Sequence, residues 1–105
     1  MIRIHYYKVH PEIFKEIKEG YKTHEIRKDD RQVRPRPGDI LVLKEFNPNS
    51  QTFTGNLVTR LVTYVSEPGT FGLPSDLFVM SIIQVPVHVL TDTMDWRYAI
   101  GDRKP

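Results

Sequence analysis

Two apolar stretches decide the fold, and they read ILVLKEF at residues 40–46 and LVTRLVTYV at residues 57–65. Both are rich in β-branched and aromatic residues, which favour strands over helices. Between them lie residues typical of turns, NPNS at 47–50 and TGN at 54–56. The pattern predicts two long antiparallel strands that pair with each other.

The segments on either side add three strands and one helix. Residues 2–8 alternate with a period of two, as a half-buried strand does, and residues 23–28 are also predicted to be extended. Residues 77–83 are apolar at most positions, as expected of a central strand. A short helix is predicted to begin at Pro11, which suits a first helical position, and to end before Gly20.

Together these elements predict an α+β fold that is mainly β. We expect a small barrel of five to six strands, with the helix at one end, formed by residues 1–84. Residues 85–105 are expected to be a C-terminal extension that packs on or beside the barrel. In this extension Val87 and Val89 favour an edge strand, and residues 92–98 favour a helical turn.

The composition limits what the protein can be. A chain of 105 residues with 39% apolar residues is the size of one domain and can bury a core. It has no cysteine, which excludes disulfides, thiolate catalysis and iron–sulfur clusters. The longest aliphatic run, residues 40–43, is far too short for a membrane span, so we expect a cytoplasmic protein with no membrane partner.

The positive charge is concentrated in one segment. The net charge is only +2 at pH 7, yet fifteen residues, 22–36, hold six cations. These are Lys22, Arg27, Lys28, Arg31, Arg34 and Arg36. Only three carboxylates oppose them in that segment, so the sequence predicts a local basic patch.

The most polar part of this segment has the chemistry of a binding site. If residues 23–28 form a strand, Thr23, Glu25 and Arg27 project to one face, and Lys22, His24 and Ile26 project to the other. A guanidinium group can bind a phosphate, and a neighbouring carboxylate can orient it or accept the amine of a base. The alternative is a solvated strand on which Glu25 and Arg27 simply pair.

Several ordered motifs resemble one family. They are His5-x-x-Lys8, Pro11-x-x-Phe14, Gly20-x-Lys22-Thr23-x-Glu25-Ile26-Arg27-Lys28-x-Asp30-Arg31, Gly38-Asp39-Ile40-Leu41, Thr54-Gly55 and Val79-Met80-Ser81-Ile82. This signature resembles the ASCH domains of the PUA-like superfamily, and most closely the bacterial and phage family called domain of unknown function 3850. The resemblance implies a β-barrel with a cleft beside the first helix, and the superfamily is associated with RNA binding.

On this resemblance, side chains from the first strand and from the segment after the helix are expected to converge on the cleft. The expected ligand-binding residues are His5, Lys8, Lys22, Glu25, Arg27, Lys28 and Arg31. Lys22 and Arg27 would hold phosphate, and Glu25 would contact or orient a polar edge of the ligand. Tyr7 or Tyr21 would either stack on a base or, as tyrosines more commonly do, cover the barrel.

No metal or other cofactor is expected. The four histidines, at positions 5, 10, 24 and 88, show none of the close spacings of a metal site. His10 suits a turn, and His24 a solvated or packed side chain. A histidine at position 5, near Lys8 and Glu25, could transfer protons at neutral pH, although a structural hydrogen bond is the commoner use.

Three functions are compatible with the sequence. The first is a module that binds nucleic acid, most of all RNA, or a free nucleotide. The second is a small hydrolase of modified nucleosides or RNA, since some ASCH relatives are amidohydrolases of acetylated cytidine; Lys22, Glu25 and Thr23 would then be catalytic. Glu25 stands where those relatives have a catalytic threonine, so the chain departs from their pattern. The third is a protein-interaction module that uses the aromatic residues after 86.

Overall fold

Five strands and one helix make up the part of the chain that the structure describes. The structure is a computed structural model, and it describes residues 2–86 and Val89. The elements are β1 (Ile4–Val9), α1 (Pro11–Lys18), β2 (His24–Lys28), β3 (Ile40–Asn47), β4 (Thr52–Ser66) and β5 (Leu77–Gln84). Within the described residues, no helix is long and apolar enough to cross a membrane.

All five strands belong to one curled sheet in the order β1-β3-β4-β5-β2. β1 pairs with β3 in parallel, and the other three pairs are antiparallel. The sheet forms a half-barrel, which confirms the predicted α+β, mainly β fold. β1 and β2 are its two edge strands.

Helix α1 forms where the sequence predicts it. Pro11 is its first residue, where its lack of an N–H costs nothing, and Gly20 follows its end with a φ of +86°, a conformation that glycine adopts without strain. Phe14 and Ile17 are buried against the sheet, and burial of each stabilises the fold by about 2 kcal/mol. The helix is thereby fixed beside β3.

The core lies between α1 and one face of the sheet. It contains Tyr7, Val9, Phe14, Ile17, Leu41, Leu43, Val62, Val65, Phe78, Met80 and Ile82. In β5 the buried residues alternate with Val79, which is half-buried, and Ser81, which is exposed. The prediction that β5 is a central strand is confirmed, since β5 lies between β4 and β2, but only one of its two faces is fully buried.

One predicted turn is instead a bulge inside a strand. Residues 54–56 belong to β4 and lie opposite the single residue Glu45, because the β3–β4 register changes there. The Glu45 carboxylate accepts hydrogen bonds from Thr54 (2.7 Å) and Asn56 (3.0 Å), and Gly55 supplies the φ of +95°. These bonds replace the ladder contacts that a bulge interrupts.

Most of the predicted C-terminal extension, residues 85–105, lies outside the residues that the structure describes. The predicted position of Val87 in an edge strand and the predicted helical turn over 92–98 lie outside the described residues. Val89 is helical, and its N–H donates to the carbonyl of Pro86 at 3.1 Å, so an edge strand is not observed at this residue.

Candidate functional site

A cleft of about 360 Å³ opens where the two edge strands of the sheet come together. It is lined by Lys8, Val9, His10, Ile13, Lys22, His24, Glu25, Ile26 and Arg27. The edges meet here because the sheet curls and, within residues 2–86, no further strand pairs with either one. Four residues predicted from the sequence, Lys8, Lys22, Glu25 and Arg27, are thus brought to one place.

Glu25 is the centre of the polar part of the cleft. It is 3% exposed and is bound on both oxygens: Lys22 Nζ lies 3.3 Å from Oε1, and Arg27 Nη2 lies 2.8 Å from Oε2. Arg27 Nε also donates to Oε2, at 2.9 Å. Glu25 therefore lines the cleft as an almost fully buried carboxylate, and its two ion pairs hold the cations of Lys22 and Arg27 in place.

Lys22 reaches Glu25 because β2 begins only after it. The backbone N–H of Lys22 donates to the carbonyl of Glu16 at 3.0 Å, which places it directly at the end of α1. Its ammonium also donates to the His24 carbonyl, at 2.6 Å. The predicted assignment of Lys22 to the face opposite Glu25 is wrong, since strand alternation does not extend to a residue in this connection.

Arginine side chains join the two edge strands. Arg27 Nη2 donates to the Lys8 carbonyl at 2.9 Å, and Arg31 Nη2 donates to the Tyr6 carbonyl at 2.6 Å. Both carbonyls lie on β1, while both arginines belong to or follow β2. Side chains thus satisfy carbonyls that a neighbouring strand would satisfy in a closed barrel. Arg31 contributes to this junction and does not line the cleft.

Tyr7 lies beneath the same two arginines. Its ring is 4.6 Å from the Arg27 guanidinium and 3.9 Å from that of Arg31, measured from ring centroid to Cζ, and the residue is 5% exposed. Burial raises the pKa of the Tyr7 phenol, and the charges of Arg31 and Arg27 only partly oppose this shift. Tyr7 covers the core, which is the alternative to stacking on a base. Tyr21 is exposed and does not line the cleft.

Lys8 is the least constrained cation of the cleft. It is exposed, and its ammonium lies 4.6 Å from the centroid of the Phe46 ring. Among the described residues its side chain has no carboxylate within ion-pair distance. Lys8 is therefore available to an anionic ligand without the loss of an existing ion pair.

His5 lies away from the cleft, contrary to its predicted place. It is 2% exposed, and its Nε2 is 3.0 Å from Oδ2 of Asp39. The same Oδ2 accepts a hydrogen bond from the backbone N–H of Arg36, and Oδ1 accepts one from the backbone N–H of Arg3. Burial favours a raised pKa for Asp39, but the His5, Arg36 and Arg3 hydrogen bonds outweigh it and hold the pKa below its ordinary value. His5 thus forms a structural hydrogen bond, which was the alternative to proton transfer in the sequence analysis.

The predicted basic patch is divided in the structure. Arg34 forms ion pairs with Asp29 (3.5 Å) and Glu67 (2.5 Å), so it joins two loops. Lys28 is exposed at the end of β2 and does not line the cleft. Only the part of the patch next to α1 and β1 takes part in the cleft.

Two apolar residues of the cleft, Ile13 and Ile26, were not predicted as site residues from the sequence. Ile13 is 38% exposed and Ile26 is 50% exposed, and both line the cleft beside its cations. In the sequence, Ile13, Phe14 and Ile17 form one apolar stripe of the helix, which predicts that Ile13 is buried. Spacing alone does not reveal the exposure of Ile13, because it precedes Ile17 by four residues and residues four apart lie on the same helix face.

A second cleft, of about 390 Å³, lies on the other side of Lys22. It is formed by the end of α1, by Arg60 of β4 and by the end of β5, and Thr23 lines it. Arg60 Nη2 donates to the carbonyl of Ile17 at 2.8 Å, and burial lowers the pKa of Arg60. Thr23 is absent from the lining of the first cleft, and its hydroxyl does not bond to the Lys22 ammonium. In the described part of the chain, no three His, Asp or Glu side chains cluster as metal ligands.

The fold and the cleft define a small half-barrel protein with a basic site between its edge strands. The chain belongs to the family described as "Domain of unknown function (DUF3850)", whose family model matches residues 4–82. The matched range begins with β1 and ends within β5, so it includes every residue that lines the cleft. No curated protein is significantly similar to the chain.

Proposed function

We propose that the protein is a PUA-like module of the ASCH type that binds RNA or a nucleotide in the cleft between β1 and β2. One observation carries the proposal: Lys8, Lys22 and Arg27 line a single cleft together with the buried Glu25. Three cations against one carboxylate leave an excess of positive charge, which favours an anionic ligand. We place this function in the cytoplasm.

The cleft suits a ligand with both a phosphate and a base. Glu25 holds Lys22 and Arg27 in place, and their side chains remain about one-fifth and one-quarter exposed, which leaves donors for a phosphate. Ile13 and Ile26 offer an apolar wall to a base. The volume of about 360 Å³ is near the lower limit of small-molecule sites, so it accommodates one nucleotide rather than a larger cofactor.

Binding is favoured over hydrolysis by the partners of Lys22. A lysine that activates the Thr23 hydroxyl would have to be near it, whereas the Lys22 ammonium donates to Glu25 and to the His24 carbonyl. Mass spectrometry after incubation with N4-acetylcytidine and short RNAs separates the two functions, because only a hydrolase releases product. The interaction-module alternative rests on aromatic residues outside the described range.

Replacement of Lys8 gives the cleanest test of anion binding. We expect Lys8→Gln to weaken RNA binding about three- to tenfold, because it removes one phosphate contact and breaks no ion pair. A fluorescence-anisotropy titration across a series of salt concentrations measures both affinity and salt dependence. The plot of log affinity against log salt should become shallower by about 0.7.

Lys15→Gln is the matched control, since Lys15 is an exposed lysine of α1 that does not line the cleft. It should change neither affinity nor slope beyond a small general effect of charge. Equal losses from Lys8→Gln and Lys15→Gln would show that binding is diffuse and would contradict the proposed cleft. Wild-type binding that does not respond to salt would contradict a phosphate-based ligand altogether.

A further inference from the structure

An exposed aromatic ring, that of Phe53, lies at the turn end of the β3–β4 hairpin, within cation–π distance of the cleft residue Lys8. Phe53 is 39% exposed and packs edge-on against Phe46, with 5.0 Å between the ring centroids. Cross-strand pairing of Phe46 with Phe53 fixes this arrangement. The exposed part of this ring is apolar surface on which the base of a nucleic acid can stack.

Two lysines flank this ring. The ammonium of Lys44 lies 4.6 Å from the Phe53 centroid, and that of Lys8 lies 5.9 Å from it. The parallel register pairs Lys8 with Lys44, so the two cations are neighbours on the same side of the sheet, where like charges repel. Neither has a carboxylate partner among the described residues, and the nearby Glu45 is bonded to Thr54 and Asn56. A bound anion would relieve the repulsion.

Lys8 connects the ring to the cleft. Its side chain lines the cleft and its ammonium is within cation–π distance of both Phe46 and Phe53. A cation–π contact at an exposed site is weak, so a ligand that offers a phosphate to the ammonium and a base to the ring can replace it. The cleft and the ring are therefore two consecutive positions along one surface.

We infer that the ligand is a single-stranded nucleic acid of at least two nucleotides. One nucleotide occupies the cleft, a phosphate contacts Lys8 and Lys44, and the next base stacks on Phe53. The inference rests on the proposed function and narrows it, because a free nucleotide would occupy the cleft and leave the ring unused. Stacking tolerates any base, so Phe53 is expected to add affinity and little sequence preference.

The test compares ligands of increasing length on two proteins. Affinities of AMP and of adenylate di-, tri- and hexanucleotides are measured by calorimetry for the wild type and for Phe53→Leu, which keeps an apolar side chain without a ring. We expect the wild type to bind the dinucleotide more tightly than AMP. Phe53→Leu should lose about tenfold in affinity for the oligonucleotides and nothing for AMP. Deoxy-oligonucleotides run in parallel identify whether the strand is RNA or DNA.

Two further variants separate stacking from effects on the fold. Phe53→Trp keeps an aromatic face and should retain the oligonucleotide affinity, and thermal unfolding reports whether each variant is intact. Tyr64→Ala is the matched control, because Tyr64 is another exposed aromatic residue of β4, at 61% exposure. It should leave all affinities unchanged.

The outcomes distinguish this inference from the proposed function. If AMP and the oligonucleotides bind equally well, or if a folded Phe53→Leu protein binds them as the wild type does, the stacking position is refuted while the cleft stands. If the wild type binds neither AMP nor any oligonucleotide, the proposed function fails and this inference fails with it.

Discussion

Glu25→Ala is expected to lower the free energy of unfolding by about 3 kcal/mol, because it removes the shared partner of two cations. Glu25 is almost fully buried and contacts Lys22 and Arg27 at 3.3 and 2.8 Å. Both cations are partly exposed, so water can hydrate them after the change, which puts the loss at the lower end for a broken buried pair. Urea denaturation measures it.

Glu16→Ala is the control for this experiment, since Glu16 is an exposed glutamate of α1 whose side chain forms no ion pair with any residue that the structure describes. Its replacement should change stability by less than about 0.5 kcal/mol. A Glu25→Ala protein as stable as the Glu16→Ala protein would show that the ion pairs contribute nothing to the fold.

Glu25→Gln separates two roles of the carboxylate in binding. If Glu25 only orients the cations, its neutralisation leaves Lys22 and Arg27 unopposed, and phosphate affinity should rise about threefold or more while stability falls. If the carboxylate instead accepts a hydrogen bond from the ligand, affinity should fall. The burial of Glu25 favours the first result, and a loss of affinity in the folded variant would contradict it.

Asp39→Ala should also cost about 3 kcal/mol of stability, although it lies away from the cleft. Its carboxylate accepts from His5 Nε2 (3.0 Å) and from the backbone N–H groups of Arg36 (3.0 Å) and Arg3 (3.2 Å). Without this acceptor, the partly buried donors lose their hydrogen bonds, and each unsatisfied donor costs about 1 kcal/mol or more. Urea denaturation of Asp76→Ala, an exposed aspartate, gives the control, and equal losses would contradict the assigned role.

The same carboxylate makes stability depend on acid. The pKa of Asp39 is lower in the folded protein than its ordinary value of 3.8, so its contribution is complete above that value and is lost as the pH falls through the lowered pKa. The wild type should therefore lose more stability than Asp39→Asn between about pH 5 and pH 2. Parallel curves for the two proteins would show that Asp39 is not responsible.

Local signals in the sequence predicted the elements of this fold well. The apolar runs gave β3, most of β4, and β5, and Pro11 and Gly20 marked the helix. Residues 54–56 were misassigned because turn-forming residues are also the residues of bulges, and only the carboxylate of Glu45 on the facing strand decides between the two. Contacts between strands are not visible in local patterns.

In the candidate site, too, local patterns predicted some features, while contacts between distant segments decided the others. Alternation along β2 correctly placed Glu25 and Arg27 on one face, whereas the meeting of Lys8 with Lys22 came from the family resemblance and not from any spacing. His5 could not be placed, because its partner Asp39 is distant in sequence and approaches only through the parallel pairing of β1 with β3. Phe53 was overlooked because its exposure depends on that same long-range packing.

The junction between β1 and β2 gives the cleft an adjustable width. Two guanidinium groups, from Arg27 and Arg31, bridge the sheet edges at the carbonyls of Lys8 and Tyr6. A hydrogen-bonded ladder would hold those edges at one fixed spacing, whereas side-chain bridges of another length would hold them closer together or further apart. Evolution can therefore change the width of the cleft by exchanging two side chains, with every strand and its register left intact.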